Sequence, residues 1–487
     1  MKLHLTEWAP DLPELGSHMR LMQNMVSVGE GYVPCDLGAY VFPGAFGARC
    51  QGAFSSQKGN VVQDFYGDDT DLFTVTSYGG TVTSVSSSGG AYTTHADDWW
   101  DFTQYGEQVL ACNGGTSTSD TIQQYKLGSS TAFADLGGSP PNAGTITTVR
   151  EHVVVGNTYD ATDGTVPYRV RWSGLGNHAT WAPNPATLSD FQDLQSTGGR
   201  IQRILGGRTG KILQEESLTR MTPDESTVVF RFDEIRGIGT PAPRSAVQYA
   251  GVVYFLGWDG FYSWSTQGIT PIGKNRVDNY VLSRLSSAEI TDVIGLVDYS
   301  NQSVLWLWNM DLSGGGNSVS VIRYSVKNDK WTEQALSTAL LNSTSTSHYG
   351  YTSALNGGAG VPYWLTTDFT VAPQVGPDKA AATMDFGVVE LTPGRRTTLH
   401  AVKPIFTHAG GDLITNTMSV ATYLDDWALT TPAQAAISSY NTDTGTFQAR
   451  LNGRYHGIRY NLKPAASGGT ATLWGVEIVD ASVQGKR

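Results

Sequence analysis

The segment VVYFLGWDGFYSWSTQGITPIGKNRVDNYV, residues 252–281, constrains this chain more than any other stretch of it. Two short apolar runs, VVYFLG and FYSWS, meet through Trp258-Asp259-Gly260, and a third, ITPIG, follows Gln267-Gly268. Runs of four to six strand-forming residues separated by Asp-Gly or Gly pairs mark antiparallel hairpins, because Gly supplies the positive φ that tight turns require. Phe261 and Trp264 are then expected to pack a sheet core, with Trp258, Asp259 and Gly260 in the turn.

The pattern recurs along the chain. Strand, polar turn and aromatic strand follow one another near 106–115, 145–159, 252–264, 296–308 and 319–332, closed at Tyr299–Gln302 and Lys327–Lys330 in the last two cases. VPYRVRWSGLGNHATW adds a strand ending in a turn between Trp172 and Trp181. The spacing is irregular, yet it suits propeller blades, in which four-stranded sheets pack on their neighbours through aromatic residues. With 56 Gly, only 16% charged residues and few amphipathic helical stretches, the chain reads as all-β. The expected organisation is an N-terminal arm or platform segment over 1–60, a β-propeller over 61–384 and a β-sandwich-like domain over 385–487. The last begins where strands lengthen, as in TTLHAVKPIFTH, and Arg395-Arg396 appears. Within the arm, LPELGSHMRLMQNMV has the makings of one short helix.

Charge is uneven. Residues 1–165 carry 6 Lys and Arg against 18 Asp and Glu, a formal −12, while the remaining 322 residues balance. A surface of this sign does not wrap nucleic acid, which demands basic side chains on phosphate. It reads either as a solvated face or as one turned to a basic partner or a DNA path that must not stick. The acidic candidates are Asp68, Asp69, Asp71, Asp97 and Asp98. Cys35, Cys50 and Cys112 lack metal-type spacing and suggest reduced thiols in a cytoplasm. Residues 1–20 are too polar for a signal peptide, and no apolar run approaches the ~20 residues that span a bilayer.

Candidate chemistry is sparse. Asp68-Asp69-Thr70-Asp71 gathers oxygens but lacks a calcium-loop spacing. Asp97-Asp98 before Trp99-Trp100 resembles a carbohydrate-binding edge, although tandem Trp in an all-β chain equally suits a sheet core. Glu215-Glu216 and Asp425-Asp426 are adjacent pairs, and neighbours on a strand face opposite ways, so neither makes an acid/base dyad. His152, His178, His400 and His456 are dispersed. Gly206–Lys211 fails the phosphate-loop pattern, since Ile212 stands where Ser or Thr is needed. No catalytic residue, cofactor or metal is expected, and the chain reads as a non-enzyme.

Six segments in order, PDLPELGSHMRLMQNMVSVGEGYVPC, DDWWDFTQYGEQVLACNG, VRWSGLGNHATW, RIQRILGGRTGKILQEESLTRM, AVQYAGVVYFLGWDGFYSWSTQGITPIGKNRVDNYV and NGRYHGIRYNL…WGVEIVDASVQGKR, are similar to the tail nozzle or hub proteins of short-tailed bacteriophages. These are also called packaged-DNA stabilisation proteins, and the resemblance spans nearly the whole chain. It implies a structural virion protein, assembled in the host cytoplasm into a hexameric ring below the portal and adaptor. Such a ring extends the DNA channel, retains the genome until ejection, lets double-stranded DNA pass without specific binding, and carries a needle, fibre or spike. An acidic lumen would let DNA slide, because Lys and Arg contacts would hold the phosphates. Arg454 and Tyr455 are expected to brace the C-terminal unit. The competing reading is a carbohydrate- or receptor-binding propeller of the tail that uses Trp99 beside carboxylates.

Overall fold

Period-two burial on both faces of a strand organises the molecule. In Gln108–Cys112, Val109 and Ala111 pack toward the preceding sheet, with Phe65, Trp100 and Tyr125, while Leu110 and Cys112 pack toward the following one, with Ile146, Val153 and Trp181. His152–Asp160 repeats the scheme: Val153 and Val155 face back, Val154 faces forward to Trp172 and Ile204. Val252–Leu256 does so again, Val253 and Phe255 on one side, Tyr254 and Leu256 on the other. Sheets buried on both faces must stack, and stacking around an axis makes a propeller.

The computed structural model describes residues 1–13, 18–35, 39–40, 51–75, 81–87, 91–95, 97–224, 228–287, 289–299, 301–309, 319–336, 341–344, 351–356, 359–364, 381–409, 413–423, 435–437, 440–464 and 470–484. Among them, seven four-stranded antiparallel blades follow in chain order, with inner strands Gly52–Lys58, Asp101–Tyr105, Asn142–Val149, Ile201–Leu205, Val247–Tyr249, Ile294–Asp298 and Leu341–Thr344. Neighbouring inner strands touch, directly or through the short 3-10 turn Pro243–Ser245 between the fourth and fifth, and Leu341–Thr344 returns to Gly52–Lys58, so the ring closes. The seventh blade takes its outer strand, Ala39–Tyr40, from the N-terminal region.

The chain is all-β, and its propeller continues into a second β unit. Blade 6 ends at Lys330–Leu336, which pairs in parallel with Leu21–Gln23; that strand pairs with Ala382–Glu390, and the sheet runs on through Tyr455–Pro464, Leu413–Tyr423 and Ala435–Ala436. A second sheet, Met25–Val28, Gly31–Pro34, Thr470–Val483, Thr397–Ala409 and Phe447–Gly453, joined by Lys2–His4, shares a core with it. Leu21–Gln23 and Met25–Val28 are therefore strands where a helix was expected: Met22 and Met25 fill the core from two separate strands, and pairing in a sheet outweighs local helix preference. The 60/61 division falls in the Gly52–Lys58/Val61–Gly67 hairpin, and the 384/385 division falls inside Ala382–Glu390. Sheet pairing instead joins residues 1–35 to the C-terminal strands. Cys50, Asp425, Asp426 and residues 311–318 lie outside the described residues.

Blade 5, blade 6 and the second unit meet at one aromatic cluster. Phe261 is buried 4.6 Å from the Trp306 ring and 5.3 Å from Trp331, and the two indoles stack at 5.7 Å. The Trp258-Asp259-Gly260 turn projects above it: Trp258 is exposed and donates its indole N–H to the Glu215 carbonyl, while Asp259 accepts from Tyr262. Gly260 has φ +147°, and a Cβ there would come within 2.2 Å of the Asp278 carboxylate. Gly273 closes the other side, where a Cβ would stand 1.9 Å from Asp278 Oδ1. Between these glycines Asp278 accepts the Phe261 N–H at 3.0 Å.

The N-terminal arm locks onto this junction. Asp11 accepts the backbone N–H groups of Asn279 and Tyr280 at 2.9 and 2.7 Å, Trp8 meets the Tyr280 ring edge-on, and Arg276 bridges Glu7 and Asp329. Burial pushes the Asp278 carboxyl up to about 7; Asp11 and Asp259 push the same way, the Phe261 N–H and Arg276 the opposite way.

Two outcomes follow from this geometry. Gly260→Val should cost at least about 2 kcal/mol, since the substitution combines a strained φ with a clash against the buried Asp278 carboxylate; an unchanged unfolding midpoint would remove the turn assignment. Because the Asp278 carboxyl is raised in the folded state, its contribution to stability is complete below about pH 4 and is lost as pH rises through about 7. Glu7 and Glu333, also raised by burial, act in the same sense. Denaturant titrations from pH 4 to 8 should therefore show wild type losing roughly 2–4 kcal/mol more than Asp278→Asn. Parallel curves for the two would show that Asp278 does not titrate in this window.

Candidate binding site at the propeller axis

Blade 2 begins with a pair of indoles sent in opposite directions. Trp100 is buried, its indole N–H donating to the Asp68 carbonyl at 2.8 Å, its ring filling space left by Gly67 and its Cβ and carbonyl packing on Gly52. Trp99, one residue earlier, lies half-buried at the propeller axis. Gln51 fixes the approach, its side-chain amide donating to the carbonyls of His95 and Asp98 at 2.8 Å each.

The axis is a series of three linked spaces. At the mouth, Asp97, Asp98 and Trp99 face Asn157, Arg200 and Gln202 around a recess of about 70 Å³. Asp97 is exposed, whereas burial raises the Asp98 carboxyl, with His95 and Arg200 opposing. Glu215 orients the far wall, accepting from the Arg200 backbone N–H at 3.2 Å and the Gln202 amide at 3.1 Å. Deeper, the Arg244 guanidinium stands 5.6 Å from the Trp99 ring centroid and pairs with Asp292 at 2.7 Å. Below that, Arg203 approaches Asp101 at 3.8 Å, and a chamber of about 220 Å³ extends to Thr147, Gln248 and Tyr299.

Asp101 is held in place by other groups. Its Oδ2 accepts from the Thr145 hydroxyl at 2.7 Å and the Ile146 N–H at 3.0 Å, tying blade 2 to blade 3, and Oδ1 accepts the Phe102 N–H. Asp101, Arg200, Arg203 and Arg244 carry no joint signal in the sequence because they come from three different blades, and only closure of the ring brings them together. What they share is position, since each sits in or just before an inner strand.

The remaining sequence candidates occupy defined places. Asp68 is buried and accepts the N–H groups of Thr70 and Asp71; Asp71 accepts from Thr70 and Ser86 hydroxyls, while Asp69 is exposed. This turn lies beside the axial mouth, with Asp69 and Thr70 carbonyls accepting from Thr94 and Tyr92. Trp172 and Trp181 are buried in different inter-blade cores, on either side of blade 3. Trp264 is buried against blade 4. Lys211, in the rejected phosphate-loop segment, donates to the Gly251 and Trp264 carbonyls, and burial lowers it to about 8. Arg454 pairs with Glu390 at 2.8 Å and lies 5.1 Å from the Tyr455 ring, at the entrance to Tyr455–Pro464. Among the described residues no group of three His, Cys, Asp or Glu is placed to hold a metal ion, and no helix is long and apolar enough to cross a membrane.

Topology sorts the acidic groups. Turns between the second and third strands of a blade, and connections from one blade to the next, emerge at the same end of a propeller. Asp68, Asp69, Asp71, Asp97, Asp98, Asp120, Asp160, Asp163, Glu215, Glu216 and Asp259 all fall in these connections. That end also carries the axial mouth.

No family model matches the chain, and no curated protein sequence does. Among solved structures it is similar to the WD40 domain of Neurospora crassa Pan2, at 6% identity over 66% of this chain and 90% of that one, with a TM-score of 0.40.

Proposed function

We propose that this chain is a non-catalytic binding platform of a short-tailed phage tail, a β-propeller that recognises a polyhydroxylated receptor such as a surface carbohydrate at its acidic axial mouth. The observation that carries this reading is the joint presentation of Trp99, Asp97, Asp98, Asn157, Arg200 and Gln202 around one recess. Sugars are held by an indole against their C–H faces and by carboxylates and amides on their hydroxyls, and the mouth supplies each of these groups. Glycan-array binding followed by titration should give a ligand whose affinity drops tenfold or more on Trp99→Ala. Absence of any glycan ligand, or one indifferent to Trp99→Ala, would overturn the receptor reading.

A second reading, the nozzle ring, is favoured by a separate observation. Val28, Trp474, Val479 and Val483 are exposed on the second unit, on strands whose other faces fill its core. Apolar surface of this kind suits burial between subunits. In such a ring the acidic propeller end would face either the DNA path, where repulsion keeps phosphate from sticking, or basic loops of an adaptor. Electron microscopy of the particle carrying this chain should show a hollow sixfold ring coaxial with the portal. A location out on fibres or spikes would exclude the ring and leave the receptor reading.

A further inference from the structure

We propose that the axial chamber binds a small carboxylate that also bears hydroxyls, anchored by Arg203. The site lies below the mouth and involves different side chains, so it stands apart from the receptor reading.

Arg203 comes from the inner strand of blade 4, about four-fifths of its side chain is buried, and its Nε is enclosed with no acceptor. Among the described residues its one ion-pair partner is Asp101, and the 3.8 Å approach is longer than a hydrogen bond; Arg244 lines the same axial space. Asp101 meanwhile directs its oxygens at Thr145, Ile146 and Phe102. Among the described residues no protein oxygen accepts a hydrogen bond from this guanidinium, and its terminal N–H groups, unlike the enclosed Nε, are the donors left to the chamber. A buried donor set of this kind is costly unless an acceptor arrives, and a planar carboxylate matches the fork in two parallel hydrogen bonds.

The rest of the chamber selects among anions. Its volume of about 220 Å³ equals that of roughly seven waters, enough for a small organic acid. Thr147, Gln248 and Tyr299 offer hydroxyl and amide groups, while Phe54, Phe102 and Leu205 supply apolar wall. Asp101 stands close enough to Arg203 to repel the second charge of a phosphate dianion, yet its carboxylate can accept from a ligand hydroxyl. One negative charge and neighbouring hydroxyls satisfy both groups together.

Isothermal titration of the full chain with D-glucuronate and L-malate, against glucose and acetate, tests this. At least one hydroxy acid should bind, with glucose and acetate about tenfold or more weaker. Malate binding would indicate a free hydroxy acid as the natural ligand, and glucuronate binding alone an acidic sugar. Arg203→Gln should weaken the acid by about tenfold or more. Arg203→Lys, which keeps the charge and loses the fork, should do likewise and serves if the Gln variant does not fold. The proposal is overturned if neither acid binds, if glucose or acetate binds as well, or if binding survives both Arg203 variants.

Discussion

The contact of Phe261 with Trp306 and Trp331 lies at the centre of the junction between the propeller and the second unit. Phe261 belongs to blade 5, both indoles to blade 6, and Met22 and Met384 of the second unit are part of the same buried cluster. Burial of three large aromatic side chains contributes several kcal/mol by area alone, and their tilted and stacked arrangement adds to it. The backbone reinforces the contact, since blade 6 and the strands after it form one uninterrupted sheet. Flexible hinges arise where few buried contacts cross a boundary, and here a core and a sheet both cross it. Polar contacts from Glu7 and Asp11 lie on top of this apolar weld and set the path of the arm.

How far the fold was legible depended on which face of a strand carried the signal. VVYFLG, EQVLAC and HVVVG read as strands because continuous β-branched and aromatic runs suit sheets covered on both sides, and the hairpins at 252–264, 296–308 and 319–332 follow from their turns. Leu21–Gln23 and Met25–Val28 gave no such signal. They are three and four residues long, and Leu21–Gln23 finds its partners more than three hundred positions away. Long-range pairing leaves no local period, so the arm read as an extended segment with one short helix although it contributes strands to both sheets of the second unit. Of the candidate site, Asp97, Asp98 and Trp99 were visible as a cluster in one segment. Arg200, Arg203 and Arg244 were invisible for the converse reason, because Arg200 and Arg203 share one segment, Arg244 lies in another, and neither holds the groups they meet across the axis.

The acidic first third acquires a physical explanation from the topology. Turns at one end of each blade are built with Asp because a short carboxylate accepts the N–H groups that a tight turn leaves unpaired, as Asp68 and Asp160 do. Repeating that solution around a closed ring places like charges on one end. Local turn chemistry and a regional electrostatic field are then one fact seen at two scales. Arg169 and Arg171 offset part of it by pairing with Asp160, Asp163 and Asp193. Asp69, Asp97, Glu216 and Asp259 remain exposed, and these set the potential a partner meets.

An acidic rim around cationic depths has a consequence for what reaches the axis. Asp97 and Asp98 at the mouth repel anions at long range, while Arg244 and Arg203 below attract them at short range. Arg244 is paired with Asp292 and Arg203 stands 3.8 Å from Asp101, so a carboxylate offsets part of each inward charge. Highly charged polyanions are turned away at the rim, where screening over a Debye length of ~8 Å barely reduces the repulsion of adjacent carboxylates. A neutral or singly charged polyhydroxylated molecule would meet less repulsion there than a polyanion. The ligand proposed for the mouth and the acid proposed for the chamber would then belong to one chemical class.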